Sequence, residues 1–250
     1  MGHPRRPTPD SLPIYNRGMK RWVLFLLLTV FLSAQGVREV EITGEPYHQA
    51  VLANDRVRVF NVEIPPHSET LMHWHRHDYV YVTLGDSQVV NTVKGKDPVH
   101  VEMRDGQTGF LRGGFAHMAR NLSGQPYRNV TVEFLQDDKR RHAPEHWDPA
   151  HPEEDRGLDI LNGGTQEILF VKDGVRVSEC ELQAGASLHL RAGPHLIVAL
   201  TDSKLRSDIA RNASSVIPMR RGESRWADGS AQILTNTGDH SAKFVTLEFR

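Results

Sequence analysis

From residue 40 onward, apolar and polar residues alternate in short runs. "RVRVFNVEI" (56–64), "DYVYVTL" (78–84) and "RNVTVEFL" (128–135) alternate clearly, and "DSQVVNTV" (86–93) and "DPVHVEM" (97–103) do so more weakly. Successive residues of a strand point to opposite faces, so a period of two predicts strands with one face turned inward. The runs are separated by "IPPHSE", "LGD", "VKGKDP", "RDGQTG" and "LSGQP", which are rich in Gly, Pro and Asp and read as turns. No amphipathic helical stretch stands out between 45 and 135. Many short strands at this spacing predict an all-β sandwich or barrel.

The pattern breaks at "QDDKRRHAPEHWDPAHPEEDRG" (136–157), a mixed-charge segment with no apolar period that reads as a solvated linker. Its His142, His146 and His151 read as surface residues. Beyond it the alternation returns in related form. "NDRVRVFNVEI" (54–64) matches "KDGVRVSECEL" (172–182), "VTLGDSQV" (82–89) matches "VALTDSKL" (198–205), and "VTVEFL" (130–135) matches "VTLEFR" (245–250). Three colinear matches predict an internal duplication. The expected units are 45–136 and 160–250, joined by 137–159.

The N-terminus departs from this pattern. Residues 1–21 carry Arg5, Arg6, Arg17, Lys20 and Arg21 against one acid, Asp10, and are followed by the apolar run "WVLFLLLTVFL" (22–32) and by "SAQG". A basic stretch, a short apolar core and small residues form the pattern of a secretory signal. A run of eleven residues is short for a membrane span, although a retained anchor is the alternative reading. The signal is expected to start at Met19 and to be cleaved near Ala34 or Gln35, so that residues 1–35 are an extension plus signal and the remainder is periplasmic or secreted. The full chain has net charge −1, which gives no basic field for nucleic acid. The single cysteine, Cys180, excludes an intrachain disulfide and sits in an apolar strand, where it reads as core.

The candidate chemistry lies in "HWHRHD" (73–78). Alternate residues of a strand share a face, so His73 and His75 project together. Two adjacent imidazoles favour the neutral form, which is the metal-binding form. A third ligand is expected from a neighbouring strand. Downstream, Gly106, Gly114, His117 and Asn121 follow the spacing G, seven residues, G, two residues, H, three residues, N, with Arg112 where a proline is usual. Together with His73, His75 and Gly85, this resembles the two motifs of the cupin superfamily. The duplication makes it resemble a bicupin, two tandem jelly-roll barrels.

The resemblance implies that His73, His75 and His117 bind one divalent transition metal (Fe, Mn, Ni or Zn). It also calls for a glutamate that this chain lacks. Counting back from Gly85 reaches Asp78, whereas counting forward from His75 reaches Tyr79 or Val80. Three readings stay open. Asp78 is a ligand through a shortened connection, His77 replaces it, or the site has three histidines with Tyr79 beside them. Tyr79, His77 and Arg112 are the candidates for acid–base work or for binding a substrate carboxylate, and Asn121 for orienting a ligand or the adjacent turn.

In the second unit Gln232 stands at the third histidine position, and the HxH pair maps to His189 and Arg191 or to Arg191 and Gly193, according to the offset used. That unit reads as a degenerate support, with a residual site at His189 and His195 as the lesser reading. The fold hosts many reactions. The resemblance implies a metal-dependent enzyme on a small molecule, such as a quercetinase-like dioxygenase, with isomerase or lyase chemistry also compatible. The alternative is a non-catalytic bicupin that binds a small ligand or metal outside the cytoplasm. No nucleic-acid or membrane partner is expected after signal cleavage, and a homodimer is left open.

Overall fold

The structure, a computed structural model, describes residues 38–250 except 144, 149 and 210–213. The secretory-signal reading of residues 1–35 lies outside the described residues.

Ten strands build the first barrel: β1 (Glu39–Glu41), β2 (His48–Ala53), β3 (Val57–Ile64), β4 (Met72–His75), β5 (Tyr79–Thr83), β6 (Ser87–Val93), β7 (Val99–Met103), β8 (Thr108–Leu111), β9 (Phe115–Asn121) and β10 (Tyr127–Phe134). They form two five-stranded sheets, β1-β4-β9-β6-β7 and β2-β3-β10-β5-β8. Ten more strands repeat the plan: β11 (Gly157–Leu161), β12 (Gly164–Lys172), β13 (Val175–Leu182), β14 (Ser187–Leu190), β15 (His195–Ala199), β16 (Ser203–Ile209), β17 (Ser215–Met219), β18 (Ser224–Ala227), β19 (Gln232–Asn236) and β20 (Ala242–Phe249). Their sheets run β11-β12-β13-β20-β15-β18 and β14-β19-β16-β17. The fold is thus all-β, two jelly-roll barrels in tandem.

Every run read as a strand in the first unit is one. The unit is wider than its alternation indicated, because the three residues of β1 pair in parallel with β4 before the first clear alternating run begins. The second barrel's first strand likewise starts at Gly157, inside the segment read as linker. That segment is more than a solvated tether. It carries a single helical turn, α1 (Asp137–Arg140), and a 3₁₀ turn at Pro152–Asp155. Trp147 is buried, with the guanidinium groups of Arg176 and Arg250 centred 4.7 and 4.9 Å from its ring.

The alternation in β3, β5 and β10 serves two cores at once. Val57, Val59, Val80, Val82, Val130, Val132 and Phe134 point out of the first barrel and meet Val175, Val177, Leu196, Val198, Leu200, Val245, Leu247 and Phe249 of the second in one buried layer. Their strand neighbours, among them Phe60, Val62 and Ile64, point into the first barrel. The interior of the second barrel is solid, packed with Leu188, Leu190, Leu205, Leu234, Phe244 and Cys180. Burial pushes the Cys180 thiol far up, so it is an inert core group.

Because the layer between the barrels belongs to both, they are expected to melt together. Leu247→Ala removes a fully buried side chain from that layer and should lower stability by about 2–5 kcal/mol. Calorimetry should show one transition moved down as a whole, and a second barrel melting separately would contradict the shared core.

Candidate metal centre

Two strands of one sheet and one strand of the other bring four imidazoles together. On β4, His73 and His75 point inward while Trp74 points out. β9 pairs antiparallel with β4 so that His117 lies directly across from His73 and Phe115 across from His75. β2, from the facing sheet, supplies His48, whose ring centroid lies 4.6 Å from that of His73. The His73–His117, His75–His117 and His73–His75 centroids are 4.6, 4.9 and 5.1 Å apart. His48, His73 and His75 each place one ring nitrogen within 4.8 Å of the others.

Neighbouring groups set which nitrogen faces the centre. The carbonyl of Leu71 lies 2.9 Å from His73 Nδ1, the Asn91 side-chain oxygen 2.6 Å from His117 Nδ1, and a Glu45 carboxylate oxygen 2.5 Å from His48 Nδ1. Each of these oxygens accepts a proton on Nδ1, which leaves Nε2 as a bare lone pair. Glu45 is itself fixed by accepting from the amides of Tyr47 and Leu71. His75 Nδ1 has no partner, and its Nε2 lies 3.1 Å from His117 Nε2.

Burial disfavours charge on these rings, and they repel one another's charge as well. His73 is pushed down to about 4, first by desolvation and then by His48. Desolvation, then neighbouring imidazoles, also hold His75 and His117 well below the ordinary range. His73, His75 and His117 are therefore neutral at pH 7.

This donor set fits a transition metal. His73 is fully buried, yet its Nε2 has no hydrogen-bond partner, which is costly unless something else satisfies it. With metal–imidazole bonds of about 2.1 Å, adjacent ligand nitrogens sit roughly 3.0 Å apart in an octahedral set and roughly 3.4 Å apart in a tetrahedral one. The 3.1 Å between the facing nitrogens of His75 and His117 falls in that interval.

The remaining expected site residues lie elsewhere, with the exception of Tyr79. Asp78 does not join the cluster. Its carboxylate is buried but turned the other way, accepting from the Gly113 amide at 2.8 Å, Arg112 at 2.7 Å and Arg141 at 3.2 Å. The shortened connection after His75 carries it out of the interior. Burial alone would raise this carboxyl, but the Gly113 amide and the two guanidinium groups outweigh it and hold it below the usual range. His77 does not replace it, since its Nδ1 faces Asp137 at 3.5 Å, outside the cavity. Arg112 is also outside, clamped between Asp78 and Asp173 of the second barrel. Asn121 is buried away from the cavity and holds a turn, donating to the carbonyls of Ile64, Pro65 and Gln125 and accepting from the Ser123 amide. Tyr79 does reach the site and stacks on His75, with centroids 4.2 Å apart.

The fourth imidazole, His48, was not found from sequence. Its motif-free neighbourhood, "EPYHQA", gives one signal only, the Glu45–His48 spacing that lets a carboxylate orient the ring.

The cluster opens into a cavity of about 460 Å³ inside the first barrel. Aliphatic and aromatic groups such as Leu111, Phe115 and Met103 line it, with Tyr79, Tyr81, Tyr127 and Asn129 as polar points.

Among the described residues the second barrel has no counterpart. Strand pairing puts Leu190 opposite Gln232 where the first barrel has His73 opposite His117. The ladder register thus maps the HxH pair onto Leu190 and Ala192, between the two offsets drawn from sequence. His189 faces outward and is exposed, whereas His195 is buried against the Gln232 amide, so the two do not form a site.

No family model matches the chain, and no curated protein does. Solved structures share its fold. A single-residue mutant of Bacillus subtilis oxalate decarboxylase OxdC has a TM-score of 0.56 at 14% identity, over 78% of this chain and 69% of that one. AerE from Microcystis aeruginosa reaches 0.57 at 13%, over 82% and 98%. The formate complex of Lactobacillus farciminis oxalate decarboxylase reaches 0.57 at 12%, over 79% and 78%. The class these likenesses define is architectural, the two-barrel cupin fold.

Two outcomes follow from this geometry. Asp78→Asn should cost about 1–3 kcal/mol, the arginines being half-exposed. It should leave the four imidazoles in place, as read by metal uptake equal to wild type. Separately, His73, His75 and His117 are neutral when folded and have an ordinary value of 6.5. The unfolded chain therefore binds more protons, and stability of the metal-free protein should fall as pH drops from 6.5 toward about 4. Urea denaturation across that window measures it, and a flat profile would contradict neutral burial.

Proposed function

We propose that the first barrel holds one divalent transition metal through His48, His73, His75 and His117, and that the protein is a metal-dependent enzyme acting on a small organic molecule in the adjoining cavity. The observation that carries this is the buried, partnerless Nε2 of His73 inside a ring of imidazoles. A cavity of about 460 Å³ with mostly apolar walls and a few polar groups has the size and make-up of a small-molecule site.

A bound ion supplies Lewis-acid stabilisation of negative charge on a substrate oxygen or, when redox-active, oxygen chemistry. The chain's own groups do the rest. Asn91, Leu71 and Glu45 fix three of the four rings. Burial, followed by Tyr127, Tyr81 and Glu133, raises the Tyr79 phenol far above its ordinary value, so it keeps its proton and serves as a hydrogen-bond donor beside His75. The finer reading is a dioxygenase of the quercetinase-like kind, supported by the aromatic and aliphatic walls that would take a flat ring. A non-catalytic ligand-binding barrel is the second reading. It is favoured by one observation: among the described residues no carboxylate lines the cavity to act as general base. A place outside the cytoplasm belongs to the same proposal and rests on the basic and apolar N-terminal segment.

Elemental analysis of the full chain, purified without a histidine tag, is expected to give about one transition metal per chain. His73→Ala and His117→Ala should lose it, His48→Ala should weaken it, and circular dichroism should show all three folded. A folded wild type that carries no metal and takes up none on titration would overturn the proposal.

A further inference from the structure

The charge balance of this cavity bears on what a metal there would attract. Four imidazoles are neutral ligands, so a divalent ion among them keeps its full charge. Asp78, the carboxylate expected to offset it, is spent on Arg112 and Arg141. Glu45 is one ring removed, behind His48. Among the described residues no Asp or Glu lines the cavity, and apart from the histidines and Lys96 its polar lining groups are tyrosine, asparagine and threonine. An uncompensated charge in an apolar enclosure is costly, and an anion that enters relieves that cost.

The one other charged group on the lining has the same sign. Lys96 sits in the tight turn between β6 and β7, where its amide donates to the carbonyl of Val93, the residue paired with His117. The turn thus places Lys96 at the rim on the histidine side. Its neighbour Lys94 is bound to Glu39 at 2.6 Å, but Lys96 has no ion pair among the described residues. Asp97, next in the chain, is exposed and does not line the cavity.

We infer that the first-barrel cavity selects a small organic anion with an apolar, ring-sized body, whose charge is met by the metal centre and by Lys96. This rests on the metal reading above and adds the substrate class to it. Neutral molecules of the same shape would gain the apolar walls but leave the positive charge unmet.

Benzoate and benzamide share a ring and differ in charge, so they are the probes. The full chain is loaded with Co(II), whose visible spectrum reports occupancy independently of any activity, and both probes are titrated by calorimetry and by the change in that spectrum. Benzoate should bind about tenfold or more tighter than benzamide. Lys96→Gln should weaken benzoate about threefold, as expected of one exposed charge, leave benzamide and the Co(II) spectrum unchanged, and be rescued by Lys96→Arg. A chain that takes up no Co(II) overturns both readings. A loaded chain that binds the two probes equally, or binds benzoate equally after Lys96→Gln, overturns this one alone.

Discussion

The apolar layer between the two barrels is the constraint on which the rest depends. A barrel with a hollow interior gives up part of the core that would ordinarily hold its sheets together. Here β3, β5 and β10 recover that burial on their outer faces, where Val59, Val82 and Val132 pack on Val177, Val198 and Leu247. The inner face of the same strands is then free to carry Tyr79, Tyr81, Asn129 and Thr131 toward the cavity. The second barrel makes the opposite choice. Its interior is filled by leucine and phenylalanine, and Phe244 occupies the ladder position that Asn129 holds in the first. The hollow barrel is stable because its duplicate is solid.

The duplication also exposes what changed inside. Arg176 and Glu248 form a buried two-pronged pair in the second barrel, with contacts of 2.8–3.0 Å. The same ladder positions in the first barrel hold Arg58 and Glu133, and there the closest approach is 3.7 Å. Neither oxygen of Glu133 has a hydrogen-bond partner, and burial raises its carboxyl, with Arg58 only partly offsetting it. In the second barrel Trp147 covers the arginine and keeps the pair dry. Arg58 is less covered, its guanidinium 6.0 Å from the Phe60 ring and its side chain about a quarter exposed. An ion pair that closes in one copy and opens in the other follows from the roof each copy has.

The strands and the HxH face were legible because both are local: a period of two fixes which side chains share a face, and three alternating runs fixed the repeat. His48 was not legible because it comes from the opposite sheet, and no spacing along β4 and β9 encodes what faces them across a barrel. Asp78 was misplaced for a related reason. Counting residues from Gly85 finds an acid in the right sequence position, but the one-residue deficit after His75 turns its side chain toward Gly113 and the arginines. The degenerate pair in the second barrel fell between two sequence offsets, and only the pairing of Leu190 with Gln232 resolves it.

The His48 and Asp78 misreadings are one physical fact. Once the chain between His75 and Tyr79 is too short to point a carboxylate inward, the fourth position round the centre is open to a donor from the facing sheet. His48 occupies it, with Glu45 behind it to fix the ring. Glu45 stands one group outward from the cluster, so its charge orients the His48 ring instead of facing the centre directly. Asp78, released from the interior, becomes an anchor that ties the β4–β5 connection to Arg112 and through it to Asp173 of the second barrel. The same deficit thus makes the centre all-nitrogen and pins the rim of the hollow barrel to its solid partner.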